Sequence, residues 1–242
     1  MKKTHLPSLK QCFFALIVRP FVWVFLGLHV RHASSLRLEE EGPLLIAANH
    51  NSHLDTLVLM ALLPLSQINR VRPVAAADYF HKTRLRRWFS EHLIGLIAID
   101  RKGGGGGSKA KRDPLAGCTD ALNQGDILIL FPEGSRGEPE RMADLHSGVA
   151  HLAKRNPDVP VLPIWLRGCG KALPKGSALL VPQFCDVVIG EYLRAPEKKG
   201  GKATYMAWMK QLQKAYDELA SELPRDGWEV GEHSCGNSAD MV

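Results

Sequence analysis

His50 and Asp55 stand in the stretch "LLIAANHNSHLDTLVL", where an apolar run breaks into two histidines, two asparagines, a serine and an aspartate before turning apolar again. A carboxylate against one imidazole nitrogen fixes the tautomer and stabilises the imidazolium that forms on proton uptake. The other nitrogen becomes a general base, and an ordinary imidazole, with a pKa of about 6.5, suits proton transfer near neutral pH. The chain has no Gly-x-Ser-x-Gly elbow to supply a serine nucleophile. A base without a protein nucleophile points to a hydroxyl on the substrate. Two other readings of the same residues stay open at this level. One is a histidine satisfied within a loop; the other is a metal site using His50, His53 and Asp55, to which the sequence does not place a spare ligand such as His92.

The spacing dictates how the pair must be presented. Five positions on a continuous helix turn through about 500°, which leaves the two side chains on different faces. His50 must therefore precede a helix and Asp55 must lie in its first turn, with Ser52 expected as the cap. Leu44 to Ala48, after Glu-Glu-Gly-Pro, reads as a buried strand that delivers His50 to its carboxyl end. Leu54 to Leu63 reads as the helix, stopped at Pro64.

Further strands are expected at Val71 to Ala77, Leu96 to Ile99, Asp126 to Phe131, Val159 to Leu166 and Asp186 to Ile189. Helices are expected at Pro114 to Asn123, Gly148 to Lys154 and Tyr205 to Glu222, with a basic amphipathic segment from Phe80 to Leu93. Tyr205, Trp208, Met209, Leu212, Tyr216 and Leu219 recur at helical spacing and read as a core stripe. The alternation argues for an α/β fold. Gly103 to Gly107, with Ser108, reads as a flexible loop, and its run of glycines also resembles an engineered linker.

With 242 residues, 45% hydrophobic and 23% charged, the chain is long enough for one well-filled core. A net charge of +6 suits an anionic partner. The basic residues are dispersed and form no recognition motif, so nucleic acid is not expected as that partner. Cys12, Cys118, Cys169, Cys185 and Cys235 are scattered and odd in number, which reads as a reduced intracellular protein. Cys12 to Val30 is apolar but broken by Arg19-Pro20. That interruption disfavours a spanning helix and favours two short helices lying in one leaflet, the arginine near the head groups. The organisation expected is a membrane-associated segment over 1–35, a catalytic domain over 36–224 and a polar tail over 225–242.

Three more segments break their local rules. "GLIAIDR" (Gly95 to Arg101) runs apolar residues into Asp100-Arg101. "FPEGSRG" (Phe131 to Gly137) ends a strand in Pro-Glu-Gly with Arg136 close behind. "VPVLPI" (Val159 to Ile164) places two prolines in a strand-like run, which favours an edge or a bent segment. Arg101 and Arg136 have the forked geometry that clamps a phosphate. Glu133 suits either a hydroxyl-bearing substrate or the orientation of those arginines.

In this order, Asn49-His50-x4-Asp55, Gly95 to Arg101, Phe131-Pro132-Glu133-Gly134 and Val159 to Ile164 resemble the four blocks of the glycerolipid acyltransferase family, best known through lysophosphatidic acid acyltransferases. The resemblance implies a mixed, largely parallel sheet flanked by helices, behind an amino-terminal membrane-anchoring helical pair. It implies that His50, oriented by Asp55, takes the proton of an acceptor hydroxyl, which attacks the thioester of an acyl-CoA or acyl carrier protein. Arg101, Glu133, Gly134 and Arg136 would hold the phosphate and glycerol of a lysophospholipid acceptor, 1-acyl-glycerol-3-phosphate in the first instance. No bound cofactor or metal is implied, and the expected location is the cytoplasmic face of a membrane. One stretch departs from the family: where many relatives carry a lysine in a Phe-Lys-x-Gly context, Asp144-Leu145-His146-Ser147-Gly148 has none. Other readings are the same chemistry on a different lysolipid, or a lipid-binding protein that keeps the fold without the catalysis.

Overall fold

The apolar runs of the sequence become strands because both faces of one sheet are covered. The computed structural model describes residues 6–36, 38, 42–76, 84–99, 113–137, 141–173, 180–197 and 201–223. Its strands are β1 (His29–Arg31), β2 (Leu44–Ala48), β3 (Val71–Ala76), β4 (Ile97–Ile99), β5 (Ile127–Leu130), β6 (Val161–Arg167) and β7 (Asp186–Ile189), in the spatial order β1-β7-β6-β2-β5-β3-β4. The block from β6 to β4 is parallel throughout; β7 runs antiparallel to β6, and β1 is parallel to β7. The α/β fold with a mixed, largely parallel sheet is thus the observed one.

β2 is buried at all five positions. Leu44, Ile46 and Ala48 face a layer formed by the amino-terminal helix and α3 (Leu54–Leu62). Leu45 and Ala47 face the opposite layer, formed by α5 (Ala116–Asn123), α6 (Gly148–Arg155) and α8 (Lys202–Ser221). A strand covered on both sides has no need of polar alternation, which is why it reads as a continuous apolar run. The stripe on α8 is core as expected, with Trp208, Leu212, Tyr216 and Leu219 all buried.

The amino-terminal segment forms helix α1 (Leu9–Phe13), a π turn (Phe14–Val18) and α2 (Arg19–Phe25) in direct succession. Pro20 falls in the first turn of α2, where the wider π turn before it absorbs the missing N–H. Ser8 caps the start reciprocally with Gln11. Phe14, Val18, Val22 and Leu26 enter the core, whereas Leu9, Leu16, Ile17, Trp23 and Val24 stay exposed. Arg19 donates to the carbonyl of Leu63, so its guanidinium is turned toward α3.

Three features depart from the sequence expectations. β1 was read as the end of an apolar segment; it is instead an edge strand, paired with β7 through contacts 157 residues away in sequence. The two-proline segment becomes β6, an interior strand. Its ladder with β7 slips by one residue between the Ile164–Ile189 pair and the Val161–Leu193 bridge, and Pro163, which has no N–H to give, sits opposite that bulge. Gly190 donates to Pro163 O there, and any Cβ on it would meet the proline ring at 2.9 Å. A short helix, α7 (Cys169–Ala172), follows β6 with no periodic signal to announce it. Gly103 to Ser108, Arg101 and the tail over 225–242 lie outside the described residues.

Lys10 fastens the amino-terminal helix to the sheet. Its Nζ donates to Val71 O and Ile94 O at 2.9 Å each. Burial, reinforced by Arg72 and opposed by Asp126, pushes the ammonium down to about 7. A neutral amine has two N–H groups, and two carbonyls receive them. Because the folded pKa lies below the ordinary value of 10.5, between those limits the unfolded chain holds a proton that the folded chain has released, so stability rises with pH across that window. Urea unfolding of Lys10→Met is expected to lack this rise, which in the native protein has a slope of about 1.4 kcal/mol per pH unit at most. Parallel curves for the two proteins between pH 7 and about 10 would contradict the assignment.

Candidate active site

The turn between β2 and α3 is organised around one buried carboxylate. Asp55 Oδ2 accepts the backbone N–H of Asn51 and of Ser52, each at 2.7 Å, and lies 3.0 Å from His50 Nδ1. The aspartate therefore caps the turn that precedes its own helix. Ser52 contributes less than a side-chain cap: its Oγ receives Leu54 N–H at 3.3 Å and donates to Leu173 O at 3.0 Å. With Asp55 fully buried and acceptor-only, Nδ1 carries the hydrogen and Nε2 is left as the basic nitrogen. The imidazole is stacked on Phe131, ring centres 4.0 Å apart and planes 18° from parallel, and is 17% exposed.

The strands fix this turn from both sides. The amide of Asn49 closes a two-way bond with Leu166, Nδ2 donating to O at 2.8 Å and Oδ1 accepting N–H at 2.6 Å. A side chain thus extends the β2–β6 ladder beyond the last residue of β2. Asn51 Nδ2 donates to the same carbonyl at 3.3 Å. On the β5 side, Glu133 receives His50 N–H on Oε1 at 2.7 Å and Ala143 N–H on Oε2 at 2.8 Å. Gly137 N–H donates to His50 O at 3.1 Å, and His146 N–H to Pro132 O at 2.8 Å.

Both carboxylate oxygens of Glu133 are committed to backbone, and the residue is 2% exposed. Burial raises its carboxyl above the usual range, against the pull of the Ala143 and His50 amides and of the His50 ring, with Asp55 adding to the rise. Gly134 and Arg136 line the cavity beside His50, so of the sequence-predicted set the structure brings together His50, Asp55, Glu133, Gly134 and Arg136. Arg101 lies outside the described residues. Asn49 and Asn51 carry the turn and have no role assigned from the sequence; the signal it offered was an amide placed directly after the unbroken apolar run of β2.

The cavity has a volume of about 920 Å3. His50, Arg136 and His146 are among its polar lining groups, and Leu57, Leu96 and Phe89 belong to a lining that is mostly apolar. A mostly apolar cavity with a base and a guanidinium in its wall suits an amphiphile that brings a hydroxyl to that base. Among the described residues no three His, Cys, Asp or Glu side chains are gathered to ligate a metal ion.

With that geometry established, comparison with known proteins is informative. The acyltransferase family model matches residues 29–167, more than half of the chain and the whole span from β1 to β6. The chain belongs to the acyltransferase family. It is 30% identical over 148 residues to the human 1-acyl-sn-glycerol-3-phosphate acyltransferase alpha, covering 57% of this chain and 48% of that protein. It is 27% identical over 175 residues to Taffazin of Dictyostelium discoideum, covering 62% and 58%. The chain spans about half the length of these curated relatives. The crystal structure of the 1-acyl-sn-glycerophosphate acyltransferase PlsC from Thermotoga maritima matches with a TM-score of 0.65 at 20% identity, over 88% of this chain and 77% of that one, a likeness of fold.

The two bonds to Glu133 generate a prediction. Glu133→Gln keeps the shape but replaces one acceptor oxygen by an amide, so either the His50 or the Ala143 N–H loses its partner. Urea unfolding is expected to show a loss of about 1–3 kcal/mol, the cost of stranding a buried donor. Turnover is expected to fall about tenfold or more as His50 shifts. Unchanged stability and turnover would remove Glu133 from its positioning role.

Proposed function

We propose that the protein transfers a fatty acyl group from an acyl thioester to the free hydroxyl of a lysophospholipid, 1-acyl-glycerol-3-phosphate being the first candidate. The observation that carries this reading is the His50–Asp55 contact at 3.0 Å, with His50 in the wall of a mostly apolar cavity. His50 Nε2 takes the hydroxyl proton as the oxygen attacks the thioester carbonyl. Asp55 stabilises the imidazolium. Collapse of the tetrahedral intermediate breaks the C–S bond, and the imidazolium returns its proton to the departing thiolate of coenzyme A or acyl carrier protein. Arg136, with Arg101, supplies the cationic ground for the acceptor phosphate. The names of the curated relatives support that acceptor.

A second acceptor class has one observation in its favour. His146 occupies the cavity wall within the stretch that departs from the family's lysine pattern, so the head-group contact is differently built. A panel of lysolipids bearing phosphate, zwitterionic or neutral head groups, tested with one acyl-CoA, separates the two. Binding to vesicles without transfer to any acceptor would instead mark a non-catalytic lipid-binding protein.

The substrates are lipids, and the exposed surface suits an encounter at a bilayer. Among the described residues no helix is long and apolar enough to cross a membrane. Leu9, Leu16, Ile17, Trp23 and Val24 form an uncovered apolar flank of the amino-terminal helix. Phe13 in that helix meets Phe89 of α4 (Arg84–Phe89) edge to face at 5.4 Å, and Phe89 also lines the cavity. Exposed Leu85 and Trp88 continue the apolar surface, with basic Arg84 and Arg87 on the same helix. The protein thus docks in one leaflet with the cavity reached from the lipid side. The reduced thiols, Cys118, Cys169 and Cys185 being buried, suit the cytoplasmic face.

His50→Ala is expected to lower kcat about a hundredfold or more while the circular dichroism spectrum and unfolding midpoint stay close to native. Near-native turnover in the folded variant would refute the base assignment. Ile17→Glu combined with Trp23→Glu is expected to abolish co-sedimentation with anionic vesicles; undiminished binding would place the membrane contact elsewhere.

A further inference from the structure

The wall of the catalytic cavity is one-sided in charge. Among its described lining residues the ionisable side chains are His50, His53, His146, His151 and Arg136, and none is acidic. The carboxylates behind the dyad are already committed, Asp55 to the turn that holds His50 and Glu133 to backbone amides. A mostly apolar cavity whose ionisable groups are imidazoles and a guanidinium suits an anion carried on a lipid.

His146 and His151 take no part in the dyad. Both are exposed, and among the described residues none of their ring nitrogens has a hydrogen-bond partner. An exposed imidazole is ordinarily just hydrated, but these two are held in place. His146 gives its backbone N–H to Pro132 O at 2.8 Å. Ala143 N–H reaches Glu133 Oε2 at 2.8 Å, so the loop is pinned to the carboxylate that also fixes His50. The His151 ring lies against Tyr205, centres 5.0 Å apart. Ser147 O accepts both the Tyr205 hydroxyl at 2.8 Å and His151 N–H at 3.0 Å, which closes that side. The two histidines share one wall because His146 precedes α6 while His151 lies in its first turn. Between them, a Cβ on Gly148 would meet no heavy atom within 4 Å, so the wall is open there.

We propose that His146 and His151, with Arg136, form the subsite for the phosphate monoester of the acceptor lipid. The inference rests on the phosphorylated acceptor of the reading above. An imidazole donates an N–H to a phosphate oxygen whether it is neutral or charged, and the guanidinium adds a fork of donors. An acyl-CoA donor also carries phosphates, but the pantetheine arm sets them far from the reacting carbonyl. In 1-acyl-glycerol-3-phosphate the phosphate is borne by the carbon next to the reacting hydroxyl. A phosphate in the cavity that holds the base therefore belongs to the acceptor.

The test is steady-state transfer with each substrate varied in turn, on protein with a native unfolding midpoint. His146→Ala and His151→Ala are each expected to raise KM for 1-acyl-glycerol-3-phosphate about three- to tenfold, the scale of one hydrogen bond to a charged group. KM for the acyl donor stays level. His151→Phe keeps a ring against Tyr205 and is expected to show the same rise, which separates the lost donor from lost packing. Calorimetry on the His50→Ala protein gives binding without turnover. There the same substitutions are expected to weaken a short-chain 1-acyl-glycerol-3-phosphate and to spare the monoacylglycerol of equal chain length. An unmoved acceptor KM overturns the proposal. So does a rise in the donor's KM in its place, a native KM in His151→Phe, or equal weakening of the two lipids. Should an alanine variant not fold, His151→Phe and His146→Met, which fill the space without a donor, take its place. If native protein transfers no acyl group to any acceptor, the catalytic reading fails and the calorimetry alone decides the subsite. Transfer that proceeds with both histidines indifferent sinks only the subsite.

Discussion

A carboxylate sealed from water is the constraint on which this structure turns. Asp55 is fully buried, and an isolated buried charge is expensive enough that the protein must surround it with donors or neutralise it. The chain supplies the donors locally, from the Asn51 and Ser52 amides and the His50 ring. The polar residues between the two apolar runs divide the work: the Asn51 and Ser52 backbone amides and the His50 ring solvate the aspartate, while the Asn49, Asn51 and Ser52 side chains tie the turn to Leu166 and Leu173. Once that shell exists the imidazole has a single orientation, and its free nitrogen is presented at the cavity without a reorganisation step.

The rest of the scaffold holds the shell still. β2 ends one residue before Asn49, whose amide takes the place of a backbone pair with Leu166 and thereby anchors the turn to β6. Glu133, arriving from the neighbouring strand β5, bonds His50 N–H and Ala143 N–H and ties the same turn to the following loop. The site is thus set on the carboxyl ends of adjacent parallel strands, a position from which loops of separate origin converge. The amino-terminal helix fills the layer it shares with α3 with Phe14, Val18 and Val22 while leaving an apolar flank uncovered. One helix therefore serves the core on one side and presents an apolar surface on the other.

Much of this was legible in the sequence where the signal is local. A five-residue spacing that no helix can satisfy forces the turn-then-helix arrangement, and continuous apolar runs announce strands covered on both faces. Where the cause is distant, the sequence was mute or misleading. Glu133 stands two residues from Phe131 and three before Arg136, which reads as a substrate or ion-pair carboxylate, yet its partners are backbone amides 83 and 10 residues away. β1 is three residues whose strand character comes from β7 alone. Pro160 and Pro163 argued for an edge or a bent segment; Pro160 falls just before β6, and the one-residue slip opposite Pro163 shows how an interior strand tolerates a proline.

The account stands or falls on where an acceptor's hydroxyl comes to rest. A crystal structure with an unreactive analogue of the acyl thioester and an intact lysophosphatidic acid would measure it directly. The expected result is the acceptor oxygen within hydrogen-bonding distance of His50 Nε2, roughly 2.6–3.2 Å, with the acyl chain along Leu57 and Leu96. An acceptor bound with its hydroxyl elsewhere, or an imidazole turned so that Nε2 bonds to the protein instead, would contradict it.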